Sequence, residues 1–147
     1  MPITINGAGT VTGITAGGLP DDCITTAEIA AHAVTYAKIG TTEQGQLCKA
    51  WVNFNGTGTV AIRASYNVSS IADTGTGLYT VNFTTAMVDA NYAAVTTCTQ
   101  TDATSTNRAV GLASDTAPQT TTTVSLRCEN SLGANSDLEV FTVAIFR

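Results

Sequence analysis

Leu78-Tyr79-Thr80-Val81-Asn82-Phe83-Thr84 is the stretch on which the fold turns. Large apolar side chains at 79, 81 and 83 alternate with polar ones at 80, 82 and 84. That period of two belongs to a β-strand with one face buried and one face wet. Just before it, Asp73-Thr74-Gly75-Thr76-Gly77 supplies turn residues, and residues 68–72 read as a shorter strand. Further back, Trp51-Val52-Asn53-Phe54 and residues 59–64 flank Asn55-Gly56-Thr57-Gly58, a hairpin signal. Beyond the central stretch, strands are predicted over 92–99, 108–113, 120–128 and 138–146, with Val124 and Leu126 pointing inward. Pro118 marks a loop between two of them. About eight short strands with turn residues between them predict a mainly β chain built as an antiparallel β-sandwich. Abundant threonine suits the outer faces of such sheets.

The last strand breaks the alternation. Leu138, Val140, Ala144 and Phe146 share one face, and Phe141, Val143 and Ile145 the other. Both faces are apolar, so both are expected to be buried. In so small a domain this predicts a subunit interface, and Phe141, Val143 and Ile145 are assigned to it. A central strand partly covered by loops is the plainer alternative.

Residues 1–47 differ in composition from 48–147 and are predicted to form a separate N-terminal segment. A short strand signal, Ile3-Thr4-Ile5, precedes a glycine-rich stretch that Leu19-Pro20-Asp21-Asp22 closes. Ile24-Thr25-Thr26-Ala27-Glu28-Ile29 is then echoed ten positions on by Val34-Thr35-Tyr36-Ala37-Lys38-Ile39. Thr25 and Glu28 have the spacing of a capping box, which predicts a helix. Its face of small residues has too little apolar bulk to stand alone in water. Identical copies of the chain would complete it, so Ile29, Ala33, Val34 and Ala37 are expected at an interface between copies. A solvated helix packed on its own domain is the alternative.

Charged residues make up only 12% and apolar ones 44%, which indicates a folded chain rather than a disordered one. The net charge of −5 disfavours binding to nucleic acid or to an anionic membrane. No apolar run reaches membrane-spanning length, and the opening MPITINGAGT lacks the regions of a secretory signal.

The chemistry-bearing residues are sparse. His32 stands alone, and Ser65, Ser69 and Ser70 have no histidine from the same region. Gly7, Gly9 and Gly13 lack the lysine and following helix of a phosphate-binding loop. Asp73, Asp89, Asp102 and Asp115 fall in predicted loops, where they support turns; calcium or sugar hydroxyls are weaker alternatives. No enzyme activity, cofactor or metal is expected. Cys23, Cys48, Cys98 and Cys128 form no CxxC pair, and reduced thiols are the default. Under oxidising conditions, pairing of Cys98 with Cys128 and of Cys23 with Cys48 would follow the segments they occupy. Arg63, Tyr66 and Asn67 offer either an intersubunit contact or a ligand contact. Thr101, Asp102, Asn107, Asp115 and Gln119 lie in short polar loops, the usual place for recognition residues on a rigid scaffold.

ITINGAGTVTGITAGGLPDD (3–22), ITTAEIAAHAVTYAKIG (24–40) and the run from Lys49 to Val95 resemble tail-fibre and related fibre proteins of tailed bacteriophages, most of all the aquatic-phage type. AWVNF (50–54), IRASYNVSSI (62–71), GTGLYTVNFTTAM (75–87) and ANYA (90–93) are the specific part. The resemblance implies a non-enzymatic homotrimer. Its N-terminal part would fix it to other virion proteins at the tail or baseplate, and its C-terminal β domain would face a host glycan or protein. This chain departs from the pattern in having no long repetitive shaft. That keeps open a compact role on the capsid surface, as a decoration or cement protein. In either case the expected location is the virion.

Overall fold

The structure is a computed structural model that describes residues 29, 31, 33–99, 108–113, 118–130 and 132–147. The chain divides into Met1–Ile39 and Gly40–Arg147, a boundary somewhat earlier than the one composition suggests. The predicted strand at Ile3-Thr4-Ile5, and also Cys23 and His32, lie outside the described residues.

In the first unit the expected helix does not run through the second copy of the echo. Thr35 (φ −89°, ψ 164°) and Ile39 (φ −87°, ψ 135°) are extended and enclose a single 3₁₀ turn, Tyr36–Lys38. Lys38 Nζ donates to the Ala33 carbonyl at 2.6 Å. Val34 and Thr35 are β-branched and stiff in a helix, and no residue of the turn is buried. Without an apolar face to pack, a short helix has no source of stability.

The second unit begins with a short helix, α1 (Thr41–Gln46), and continues as eight strands: β1 (Cys48–Asn55), β2 (Ala61–Tyr66), β3 (Val68–Gly75), β4 (Leu78–Phe83), β5 (Ala93–Thr99), β6 (Arg108–Leu112), β7 (Thr123–Asn130) and β8 (Val140–Phe146). They form two four-stranded sheets, ordered β2-β1-β8-β5 and β3-β4-β7-β6. Every strand pairing is antiparallel.

The core lies between the sheets. Each central strand gives alternate residues to it: Ala50, Val52 and Phe54 from β1, Tyr79, Val81 and Phe83 from β4, Val124, Leu126 and Cys128 from β7, and Phe141, Val143 and Ile145 from β8. Phe54 and Phe141 stack with centroids 5.0 Å apart, and Tyr79 meets both edge-on at 5.3 and 4.9 Å. Burying each large side chain contributes roughly 1.5–3 kcal/mol. Gly56 lets the first hairpin close over this cluster, since a Cβ there would sit 2.6 Å from a Phe141 ring carbon. Gly77 combines a left-handed φ of 67° with a backbone approach: a Cβ would lie 2.6 Å from the Cys128 carbonyl oxygen.

β8 corrects the sequence reading. Phe141 (0% exposed), Val143 (3%) and Ile145 (1%) face the opposite sheet. They are already dry within one chain and have no area left to give a partner. The outward residues of β8 are Val140, Thr142, Ala144 and Phe146, all half-buried. Cys48 and Cys98 carry free thiols, so neither suggested disulfide is formed. Cys98 and Cys128 stand on different sheets, on β5 and β7.

Candidate functional site

The outer face of the first sheet is the most distinctive surface of the sandwich. Register places Tyr66, Trp51, Ala144 and Val95 side by side on β2, β1, β8 and β5. Neighbouring strands are about 4.8 Å apart, so the row is roughly 15 Å long. Trp51 is 41% exposed, Val95 56% and Tyr66 59%. The next row is Ala64, Asn53, Thr142 and Thr97. Its polar groups are mutually satisfied: Arg63 Nη1 donates to Asn53 Oδ1 at 3.4 Å, and the Thr97 and Thr142 hydroxyls lie 2.5 Å apart. The result is a flat apolar band beside a self-paired polar one. Such a surface suits association with another flat surface, and it holds no nucleophile–base pair. The edge strand β2 is exposed along its whole length on both faces, although it carries Ala61, Ile62, Ala64 and Tyr66.

Other nominated residues brace the fold. Asn67 takes a left-handed φ of 54° where the chain crosses from β2 to β3. Its side chain donates to the Lys49 and Thr85 carbonyls, both at 3.1 Å, and accepts from the Thr85 N–H at 2.7 Å. Asn is among the few non-glycine residues that tolerate this backbone. Gln119, expected to face a receptor, donates to the Tyr92 carbonyl at 2.8 Å and sits half-buried in a bridge with Val124. Asp73 accepts from the Gly75 N–H at 3.1 Å, a turn contact. Asp89 accepts from the Asn91 N–H at 2.7 Å and pairs with Arg147, whose guanidinium holds its carboxyl below the usual range. Thr101, Asp102, Asn107 and Asp115 lie outside the described residues. Ile29, Val34 and Ala37 are exposed and Ala33 half-buried.

One polar knot was missed by sequence reasoning. Asp137 Oδ1 accepts from the Gly77 N–H at 2.6 Å and the Tyr79 hydroxyl at 2.7 Å; that hydroxyl also lies 2.8 Å from the Gly56 carbonyl oxygen. The alternation that turns Tyr79 inward implies a partner for its hydroxyl, but not which one. Burial and the neighbouring Asp137 carboxyl push the Tyr79 phenol above its ordinary pKa, and burial raises Tyr92 to about 12. These are structural tyrosines with buried rings. Among the described residues no cluster of His, Cys, Asp or Glu is arranged to hold a metal ion, and no helix is long and apolar enough to cross a membrane.

Compared with known proteins, the chain matches no family model, no curated protein and no solved structure.

Proposed function

We propose that this protein is a structural component of a tailed-phage virion, a short trimeric tail fibre. In this reading residues 1–47 attach it to the tail or baseplate, and the β-sandwich is the exposed head that meets the host surface. The observation that carries the reading is the apolar row Tyr66, Trp51, Ala144 and Val95 on the first sheet. Two aromatic rings and a valine, in line with Ala144, are costly to leave in water, and further copies of the chain would cover them. The exposed edge strand β2 supports the same conclusion. The fibre-like stretches at 50–54, 62–71 and 75–87 give the association its context. They fall on β1 and β2 of the first sheet and on β3 and β4 of the second.

The interface therefore moves from the inner to the outer side of β8, onto Val140, Ala144 and Phe146 with Trp51 and Val95. Each head would bind its target weakly, and several heads acting together would hold the particle.

Immunogold labelling of purified particles tests this. Label at the tail or its tip is expected. Label spread over the head shell would replace the fibre with the capsid-decoration role. Particles without label would remove the virion assignment altogether.

A further inference from the structure

On the opposite side of the sandwich, a cavity of about 250 Å³ opens over β6 and β7, lined by Ala109, Val110, Gly111, Leu112, Arg127 and Glu129. Its volume lies just below the roughly 300–1,000 Å³ of drug-sized ligand sites, which limits it to a small occupant.

Gly111 is the residue that needs explaining. Glycine weakens a strand, since it has no side chain to pack and loses more backbone entropy than other residues. Gly56 and Gly77 have steric reasons to lack a side chain. At Gly111, by contrast, a Cβ would meet nothing within 4 Å. Its neighbour across the ladder is Arg127, and both point to the outer face of the second sheet. A glycine with no reason inside the fold leaves room for something outside it.

The walls indicate the chemistry of the occupant. Arg127 is ion-paired with Glu129, and its Nε donates to Asn135 Oδ1 at 2.9 Å. The guanidinium is fixed in place and its charge is balanced. The wall therefore offers hydrogen-bond donors and acceptors together without a net charge to attract an anion. Ala109, exposed and paired with Glu129 across the ladder, adds a small apolar surface on the same face. A peptide strand is a poorer fit along the β6 edge, because the Val110 carbonyl there already accepts from Thr96 Oγ1 at 2.9 Å.

We propose that this trough is a subsite for one neutral sugar residue of a surface glycan. Hydroxyl groups would bond to Arg127 and Glu129, while a C–H face rests over Gly111 and Ala109. The assignment rests on the host-contact reading above and gives that contact a ligand class and a place.

The test titrates the full-length protein with glucose, galactose, mannose and N-acetylglucosamine, as monosaccharides and short oligomers, and follows backbone amide shifts by NMR. At least one neutral sugar is expected to shift Gly111, Leu112 and Arg127. Gly111→Val should fill the trough and weaken that sugar's binding at least tenfold. The same variant should leave the urea midpoint unchanged or raise it, as valine favours a strand. Trp51→Ala, on the other face, should keep the sugar affinity. Three results would overturn the proposal: no neutral sugar binds, Gly111→Val binds as wild type does, or Gly111→Val alters the native mass, which would make the trough a contact between copies. Immunogold labelling of particles reads the virion assignment independently, so a failed sugar site and a failed fibre reading are distinguishable.

Discussion

Val143 and Ala144 are adjacent on β8 but point to opposite sides of the first sheet, so one substitution at each separates the core from the proposed interface. Val143 is 3% exposed and packs in the core formed by both sheets. Val143→Asp removes roughly 1.5–3 kcal/mol of apolar burial. It also places a carboxylate in a site with no cation, at a further cost of several kcal/mol. Together these exceed about 5 kcal/mol, against a typical domain stability of about 5–15 kcal/mol. Ala144 lies outward between Trp51 and Val95. Ala144→Asp should cost the single sandwich only about 1 kcal/mol, the span of strand preferences. The assay is urea unfolding followed by circular dichroism, with native mass measured by light scattering. Val143→Asp should be unfolded or close to it in dilute buffer. Ala144→Asp should unfold near the wild-type midpoint but run as a monomer, because a charge would sit in the middle of the association row. A folded Val143→Asp with the wild-type midpoint would refute the placement of the core. Equal damage from both substitutions would refute the division of β8 into an inner and an outer face.

Asp137→Ala removes the acceptor of the Gly77 N–H and leaves the Tyr79 hydroxyl only the Gly56 carbonyl; it should cost about 1–3 kcal/mol in urea unfolding, with Asp137→Asn recovering part of it. Asn67→Ala loses three side-chain hydrogen bonds and strains a left-handed backbone, and should cost about 2 kcal/mol or more; Asn67→Gly relieves only the strain and should fall between it and wild type. The raised phenols make stability fall at alkaline pH. Folding keeps Tyr79 and Tyr92 protonated, whereas the unfolded chain ionises them near pH 10. The stability they contribute is complete below about pH 10 and declines as pH rises toward 12 and beyond, which thermal melts across that range would read.

The strands were largely legible in the sequence because their chemistry is local. The alternation at Tyr79, Val81 and Phe83 marks the inner face of β4, and Val124 and Leu126 do the same for β7. Turn residues at 55–58 fall where the first hairpin closes, whereas of 73–77 only 76–77 make the turn, because β3 runs on to Gly75. Where both faces of a strand are apolar, periodicity cannot rank them, and β8 was read on the wrong side for that reason. The band on the first sheet depends on register, which brings Tyr66, Trp51, Ala144 and Val95 together from four separate stretches. No single window contains that row. Asn67 and Gln119 are polar residues that read as candidates for ligand contact, and Asp137 carried no signal at all. Their partners lie up to 60 residues away in sequence, as in the bond from the Gly77 N–H to Asp137. The Ala-rich echo carries helix-forming residues but no face to bury, so preference alone did not produce a helix around Thr35.

The most direct test of the account is the native mass of the full chain by size-exclusion chromatography with light scattering, for wild type and Trp51→Glu. The account predicts a wild-type species of three times the 15.1 kDa chain mass that persists on dilution, and a folded 15.1 kDa monomer for the variant. A wild-type chain of 15.1 kDa, folded and stable with Trp51 and Val95 left in water, would contradict it.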